Sequence, residues 1–138
     1  MKITSRVDHF AISAADTEAM TKWYENVMGL VVHAVGEPKP GQTQKTYLIG
    51  PPASGSGLKQ GCMIEVMPQN DKPRQERAAL DPGLSHAAWY VADFDEALAH
   101  LKQCQVKFLS DVIQAVGGGR IISFLDCEGN MMQIVERV

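Results

Sequence analysis

The sequence predicts an α+β fold of two βαβββ modules, with a mixed sheet in each. One observation is a repeated pattern: Val7-Asp8-His9-Phe10-Ala11 near the start is matched by Leu84-Ser85-His86-Ala87-Ala88 past the middle. A second is that an Asp follows the His by seven residues in both copies, at Asp16 and Asp93. A third is that helical periodicity and then strand-like segments follow each Asp. Such internal repetition indicates a duplicated module.

Length and composition favour one ordinary globular domain. The chain has 138 residues, of which 45% are hydrophobic and 21% charged, which is enough apolar surface for a core. We expect a single domain over residues 1–138, with the first module at about 1–67, a polar linker at 68–82 and the second module at about 83–138.

Charge and motifs exclude several classes of partner. The net charge is −3 and no segment is strongly basic, so nucleic acid is not expected as a partner. No apolar run is long enough to cross a bilayer, and no apolar signal core follows the basic residues near the N-terminus. The three cysteines form no CxxC spacing, which favours reduced thiols in a cytoplasmic protein.

In the first module, Val7–Ala14 alternates as a strand does, with His9 on one face and Phe10 and Ile12 on the other. A helix is expected from its N-cap at Asp16 to Gly29, which suits a left-handed C-terminal position. Three further strands are predicted, at 30–35, 46–49 and 62–67.

The second module repeats this plan. We expect a strand over 85–91, with His86 and Tyr90 on one face, and a helix capped by Asp93. His33 and His100 have no counterpart in the other half, so they are expected on the surface or on a helix. The remaining strands are predicted at 106–109, 120–125 and 131–136.

This layout resembles the vicinal oxygen chelate superfamily, which includes glyoxalase I, methylmalonyl-CoA epimerase, extradiol dioxygenases and the fosfomycin and bleomycin resistance proteins. The resemblance covers nearly the whole chain, and it implies that the two modules form paired curled mixed sheets around a central cleft. The motifs that carry it are Val7-Asp8-His9, Trp23-Tyr24-Glu25-Asn26-Val27-Met28-Gly29-Leu30, Ile64-Glu65-Val66, Ser85-His86 and Phe124-Leu125-Asp126-Cys127-Glu128-Gly129-Asn130. The Tyr-x-x-x-x-Gly-Leu helix end and the Asp-x-x-Gly-Asn turn are fairly specific together.

The resemblance implies a divalent metal bound by one residue from the first and one from the last strand of each half. At the matching positions stand His9 and Glu65, then His86 and Gln133. The family most often has Glu where this chain has Gln133. Glu136 is the alternative ligand, but it lies three residues on, so it projects from the other face of a regular strand.

Imidazole and oxygen donors suit Zn²⁺, Ni²⁺, Co²⁺, Mn²⁺ or Fe²⁺, and the sequence does not choose among them. The resemblance implies a metal-dependent lyase or isomerase, which moves a proton and stabilises an enediolate on a small substrate that chelates through adjacent oxygens. Glu65, the one carboxylate among the ligands, is the expected base. Ser13, Tyr90 and Arg120 are candidate substrate contacts. Many relatives are homodimers, and a homodimer is expected here.

Glyoxalase I itself is a poorer match. That enzyme has an Arg four residues past its first ligand and commonly an Asn four residues past its Glu ligand. This chain has Ser13 and Gln69 there, so a glutathione thiohemiacetal is not the expected substrate.

Two alternatives of other classes remain open. His9, His86 and Glu65 form a two-His, one-carboxylate set as in non-haem Fe(II) extradiol dioxygenases, although those enzymes take the carboxylate from the last strand. The third hypothesis is a metal-free drug- or small-molecule-binding protein of the resistance type, with a cleft lined by aromatic residues. By strand parity, Tyr90 is the aromatic residue that shares its face with a ligand position.

Overall fold

The structure, a computed structural model, describes residues 2–3 and 5–138. It confirms the α+β fold: two four-stranded mixed sheets, each accompanied by one helix. The chain divides into two compact units, Met1–Lys72 and Pro73–Val138, and this division falls inside the segment predicted as a linker. None of the helices formed by the described residues is long and apolar enough to span a bilayer.

In the first unit the sheet order is β1-β4-β3-β2, with β1 parallel to β4 and the other pairs antiparallel. Alternation along β1 buries Ile12 and Ala14 and leaves His9, Ala11 and Ser13 exposed. Met20 and Tyr24 of the helix are fully buried. The elements are β1 His9–Ala14, α1 Thr17–Met28, β2 Val31–Gly36, β3 Thr46–Gly50, a 3₁₀ turn Gly57–Lys59 and β4 Met63–Pro68.

Both ends of α1 follow from local sequence. The Asp16 side chain accepts a hydrogen bond from the backbone N–H of Ala19 at 2.9 Å, which satisfies a donor that the first turn otherwise leaves open. Gly29 ends the helix in the left-handed region at φ 68°, a conformation that glycine adopts without a steric penalty.

The second unit repeats the first, with the order β5-β8-β7-β6 and β5 parallel to β8. Its helix is capped by Asp93, which accepts from the Glu96 N–H at 2.9 Å. The elements are β5 Ala87–Tyr90, α2 Phe94–Gln103, β6 Ile113–Gln114, β7 Arg120–Leu125 and β8 Met131–Val135. The buried core of this unit includes Phe94, Leu101, Ile122, Phe124, Met132 and Ile134.

The strand predicted over 106–109 is wrong as a continuous element. Phe108 forms an isolated bridge with Phe124, and the backbone N–H of Leu109 donates to the Ser123 carbonyl at 2.8 Å. The hydrogen-bond ladder between this segment and β7 then breaks, because the Ser123 N–H donates to the Ser110 hydroxyl at 3.1 Å. Regular pairing with β7 resumes at β6. Side-chain competition for a backbone donor is the physical reason.

His33 lies half-buried in β2 and is not a surface or helix residue. Its Nε2 is 2.9 Å from the Pro51 carbonyl oxygen, and its ring lies against Gly57 of the 3₁₀ turn. A β-bulge between Val32 and Ala34 surrounds it. His33 therefore ties the loop after β3 to the edge of the sheet.

Candidate functional site

In the first unit, the register of β1 and β4 brings His9 and Glu65 together. His9 lies opposite Met63, and Ala11 lies opposite Glu65, so the two polar residues are diagonal neighbours on one face of the sheet. The His9 Nε2 atom is 3.8 Å from Glu65 Oε2, and the two side chains are 39% and 32% exposed. An imidazole nitrogen and a carboxylate oxygen thus face a partly open surface.

The other nitrogen of His9 is held by its neighbour in the chain. His9 Nδ1 is 2.7 Å from Asp8 Oδ2. This contact leaves Nε2 as the ring nitrogen that faces Glu65. A carboxylate on the far nitrogen is the usual support of a metal-binding His. Sequence reasoning assigned no role to Asp8, although its position before the His was a usable signal.

The second unit has a matching contact. His86 lies just before β5, and its Nδ1 is 2.8 Å from the Ser85 hydroxyl oxygen. Ser85, like Asp8, is the residue directly before the histidine. Both imidazoles therefore have the Nδ1 atom occupied by a local partner.

Gln133 lies opposite Ala88 of β5 and Ser123 of β7. Its Nε2 donates to the Ser123 hydroxyl oxygen at 3.0 Å. Ser123 is 6% exposed and was not singled out from the sequence, because its relation to Gln133 depends on how β7 pairs with β8.

Within residues 2–3 and 5–138, no group of three or more His, Cys, Asp or Glu side chains is arranged to hold a metal ion. The four-ligand set thus stays a prediction. The donors fit a divalent transition metal, because imidazole, carboxylate and amide oxygens are ligands that such ions accept. The Asp8 contact with Nδ1, which leaves Nε2 on the side of Glu65, fits the arrangement of a metal-binding His.

The candidate substrate residues Ser13 and Tyr90 lie on the same sheet faces as the ligand positions. Ser13 is opposite Met67 and exposed. Tyr90 is opposite Val135, and 67% of its surface is exposed. Both hydroxyl groups are therefore accessible.

Arg120 and Glu136 lie on the opposite face of the second sheet, beside α2. The Arg120 guanidinium donates to Glu136 at 2.7 Å and to Asp95 at 2.9 Å, and it stacks 4.7 Å from the Phe94 ring centroid. The hydrogen bond from Arg120 lowers the pKa of Glu136 and likewise that of Asp95. Because Arg120 and Glu136 form an ion pair with each other, these contacts do not favour a role for either residue on the sheet face that carries Gln133.

The sequence profile of the Glyoxalase/Bleomycin resistance protein/Dioxygenase superfamily matches residues 6–134. The chain belongs to this superfamily. The four candidate ligand positions, His9, Glu65, His86 and Gln133, all lie within the matched range. No curated protein sequence matches the chain significantly.

Solved structures of superfamily members share the fold at low sequence identity. A glyoxylase/bleomycin resistance protein/dioxygenase domain from Frankia sp. EAN1pec has a TM-score of 0.74 at 18% identity, covering 99% of this chain and 94% of that one. A glyoxalase family protein from Bacillus cereus has a TM-score of 0.74 at 16% identity, covering 99% and 97%. A superfamily member from Sphaerobacter thermophilus DSM 20745 has a TM-score of 0.71 at 20% identity, covering 97% and 98%.

Proposed function

We propose that this superfamily member is a metal-dependent lyase or isomerase that acts on a small substrate with two adjacent oxygens. The observation that carries the proposal is the Asp8–His9–Glu65 arrangement, in which Nδ1 is bound by a carboxylate and Nε2 lies 3.8 Å from a second carboxylate. A histidine on the surface needs no partner on either ring nitrogen. A metal-binding histidine uses one nitrogen for the metal and the other for a supporting hydrogen bond. His86 and Gln133 are the proposed ligands from the second unit.

When bound, a divalent ion supplies Lewis-acid stabilisation of negative charge that develops on the substrate oxygens. The chain's own residues perform the proton transfer and the positioning. Glu65 is the proposed base, which takes a proton from the carbon next to the substrate carbonyl and returns it to the neighbouring carbon or to the same one. The Glu65 side chain is 32% exposed, so a substrate can reach it. Its backbone is held between β1 and β3.

The residues around the ligand positions indicate the class of substrate. Ser13 and Tyr90 offer hydroxyl groups, and the strand residues opposite the ligand positions are Met63, Ala11, Leu48, Ala88 and Ser123. None of these residues is cationic, and the Arg and Asn of glyoxalase I are replaced by Ser13 and Gln69. The proposed substrate is therefore small, and a glutathione conjugate is not proposed.

The deciding experiment is metal analysis of purified wild type, His9→Ala, His86→Ala and the control His100→Ala. His100 lies on α2 with its Nε2 3.5 Å from the Cys104 sulfur, outside the proposed site. We expect stoichiometric metal in wild type and in His100→Ala, and its loss in the other two variants. Wild-type metal content in both His9→Ala and His86→Ala would contradict the proposal.

Activity assays then define the reaction. Turnover of methylglyoxal with glutathione in the presence of any divalent metal would contradict the proposed exclusion of glutathione conjugates. Oxygen uptake with Fe²⁺ and a catechol would support the dioxygenase hypothesis instead. Light scattering after size exclusion tests the proposed homodimer.

The exposed Tyr90 ring favours a second candidate, a metal-free small-molecule-binding protein. An aromatic side chain exposed beside the ligand positions suits stacking on a planar drug. Stoichiometric metal in the purified protein would contradict this candidate, whereas saturable quenching of tyrosine and tryptophan fluorescence by a drug in metal-free protein would support it.

A further inference from the structure

Glu65 and Gln133 occupy equivalent positions in the two sheets, yet their neighbours differ. Each is paired on one side with an alanine of the first strand of its unit. On the other side, Glu65 lies opposite Leu48, whereas Gln133 lies opposite Ser123. The replacement of a carboxylate by an amide thus coincides with the replacement of an apolar neighbour by a hydroxyl.

The chemistry of the two side chains explains this coincidence. A carboxylate presents two equivalent oxygens, so it binds a cation in either orientation of its end group. An amide has one oxygen and one NH₂ group, and the NH₂ group repels a cation. A Gln therefore serves as a metal ligand only when a neighbour fixes which end of the amide faces the metal.

Ser123 has the contacts needed for that task. Its hydroxyl oxygen accepts from Gln133 Nε2 at 3.0 Å, which leaves Oε1 as the end of the amide that remains for a metal. Its position is fixed because its backbone N–H donates to the Ser110 hydroxyl at 3.1 Å and its side chain is buried. A buried hydroxyl is costly unless it has a hydrogen-bond partner, and Gln133 supplies one.

We propose that Ser123 is a positioning residue, which orients the Gln133 amide so that Oε1 is the metal ligand. The inference rests on the proposed function, since it assigns a role to Ser123 at the same metal site. The Ser123–Gln133 pair then does in the second unit what the single carboxylate of Glu65 does in the first.

The first arm of the test uses metal-free protein and NMR of the side-chain amide of Gln133. The resonance is assigned by its disappearance in Gln133→Glu. We expect Ser123→Ala to shift the Nε2 protons and to speed their exchange with solvent, and Ser123→Thr, which keeps a hydroxyl, to preserve both. Amide resonances that are unchanged in Ser123→Ala would overturn the inference.

The second arm measures the affinity for Co²⁺ by visible absorption. We expect Ser123→Ala to weaken binding by about 10–100-fold, the usual cost of losing a residue that orients a ligand, and Ser123→Thr to bind as wild type does. In a Gln133→Glu background the same Ser123→Ala change should cost clearly less, because a carboxylate needs no orientation. An equal loss in both backgrounds would overturn the inference, since it would mean that Ser123 acts only through the fold.

The first unit offers a reciprocal control. Glu65→Gln introduces an amide beside Leu48, so we expect it to weaken Co²⁺ binding. Adding Leu48→Ser places a hydroxyl opposite that amide and should restore part of the affinity. No recovery in the double variant would contradict the orientation argument, provided that thermal unfolding shows the variant to be folded.

Failure of the inference and failure of the proposed function give different results. If wild type does not bind Co²⁺, the metal-dependent function and the metal role of Ser123 both fail. If binding is lost in His9→Ala but unchanged in Ser123→Ala, the proposed function stands and the inference alone is overturned.

Discussion

His9 Nδ1 lies 2.7 Å from the carboxylate of Asp8, the residue directly before it in the chain. His86 has the same relation to Ser85, at 2.8 Å. Neighbouring residues within a regular strand point to opposite faces. Asp8 directly precedes β1, which begins at His9, and Ser85 and His86 both precede β5. Each unit thus orients its imidazole with a residue at the entrance to its first strand.

We predict that Asp8→Ala weakens metal binding by about 10–100-fold, because it removes the carboxylate that contacts Nδ1 of His9 and orients the ring. Asp8→Asn keeps an acceptor oxygen and should lose less. The measurement is competition for Co²⁺ or Zn²⁺ with a chelator of known affinity. Asp71→Ala removes an exposed carboxylate from the same unit and serves as the control. Equal affinities of Asp8→Ala and Asp71→Ala would contradict the prediction.

The second prediction concerns acid stability. The guanidinium of Arg120 lowers the pKa of Glu136 and of Asp95 below their ordinary values of 4.5 and 3.8. A carboxyl group with a lowered folded-state pKa stabilises the fold above its unfolded-state pKa, and this contribution is lost as the pH falls through the folded-state value. The free energy of unfolding should therefore fall as the pH is lowered below about 4.5.

Arg120→Met should lower stability at pH 7 and flatten the acid dependence due to these two groups. Urea denaturation of both proteins from pH 7 to pH 3 measures the effect. Lys107→Met, which removes an exposed cation from the same unit, controls for the change in net charge. Parallel pH profiles of wild type and Arg120→Met would show that the ion pairs do not contribute.

Local signals were sufficient for some parts of the structure. The caps Asp16, Gly29 and Asp93 fix helix ends through contacts within five residues, and strand parity is enough to place His9 and Ser13 on one face. The break in the 106–109 segment depends on Ser110 meeting the Ser123 N–H across strands. The role of Ser123 likewise depends on the register of β7 and β8, which no periodicity encodes.

The third prediction uses the paired helix caps. Asp16→Ala and Asp93→Ala each remove a side-chain acceptor from a first-turn N–H, so each should lower the free energy of unfolding by about 1 kcal/mol. Glu18→Ala removes a first-turn carboxylate that pairs with Lys22 at 3.1 Å on the exposed surface, and it should cost clearly less than either cap substitution, because solvent screens an exposed ion pair. Urea denaturation at pH 7 compares the three. A cost of Glu18→Ala equal to that of Asp16→Ala would contradict the capping argument.

The fourth prediction concerns the contact between His33 and Gly57. A Cβ atom at Gly57 would collide with the His33 ring, which is held by the Pro51 carbonyl and cannot move without losing that contact. Gly57→Ala should therefore destabilise the first unit by about 1–3 kcal/mol, the usual cost of overpacking. Gly55→Ala in the same loop is the matched control, since a Cβ there meets nothing within 4 Å.

A double-variant cycle identifies the cause of that cost. His33→Ala removes the ring that the new methyl group would meet, so Gly57→Ala should cost much less in the His33→Ala background than in wild type. Chemical denaturation of the four proteins gives the coupling free energy. A cost that is the same in both backgrounds would place the strain in the backbone of the 3₁₀ turn rather than in its contact with His33.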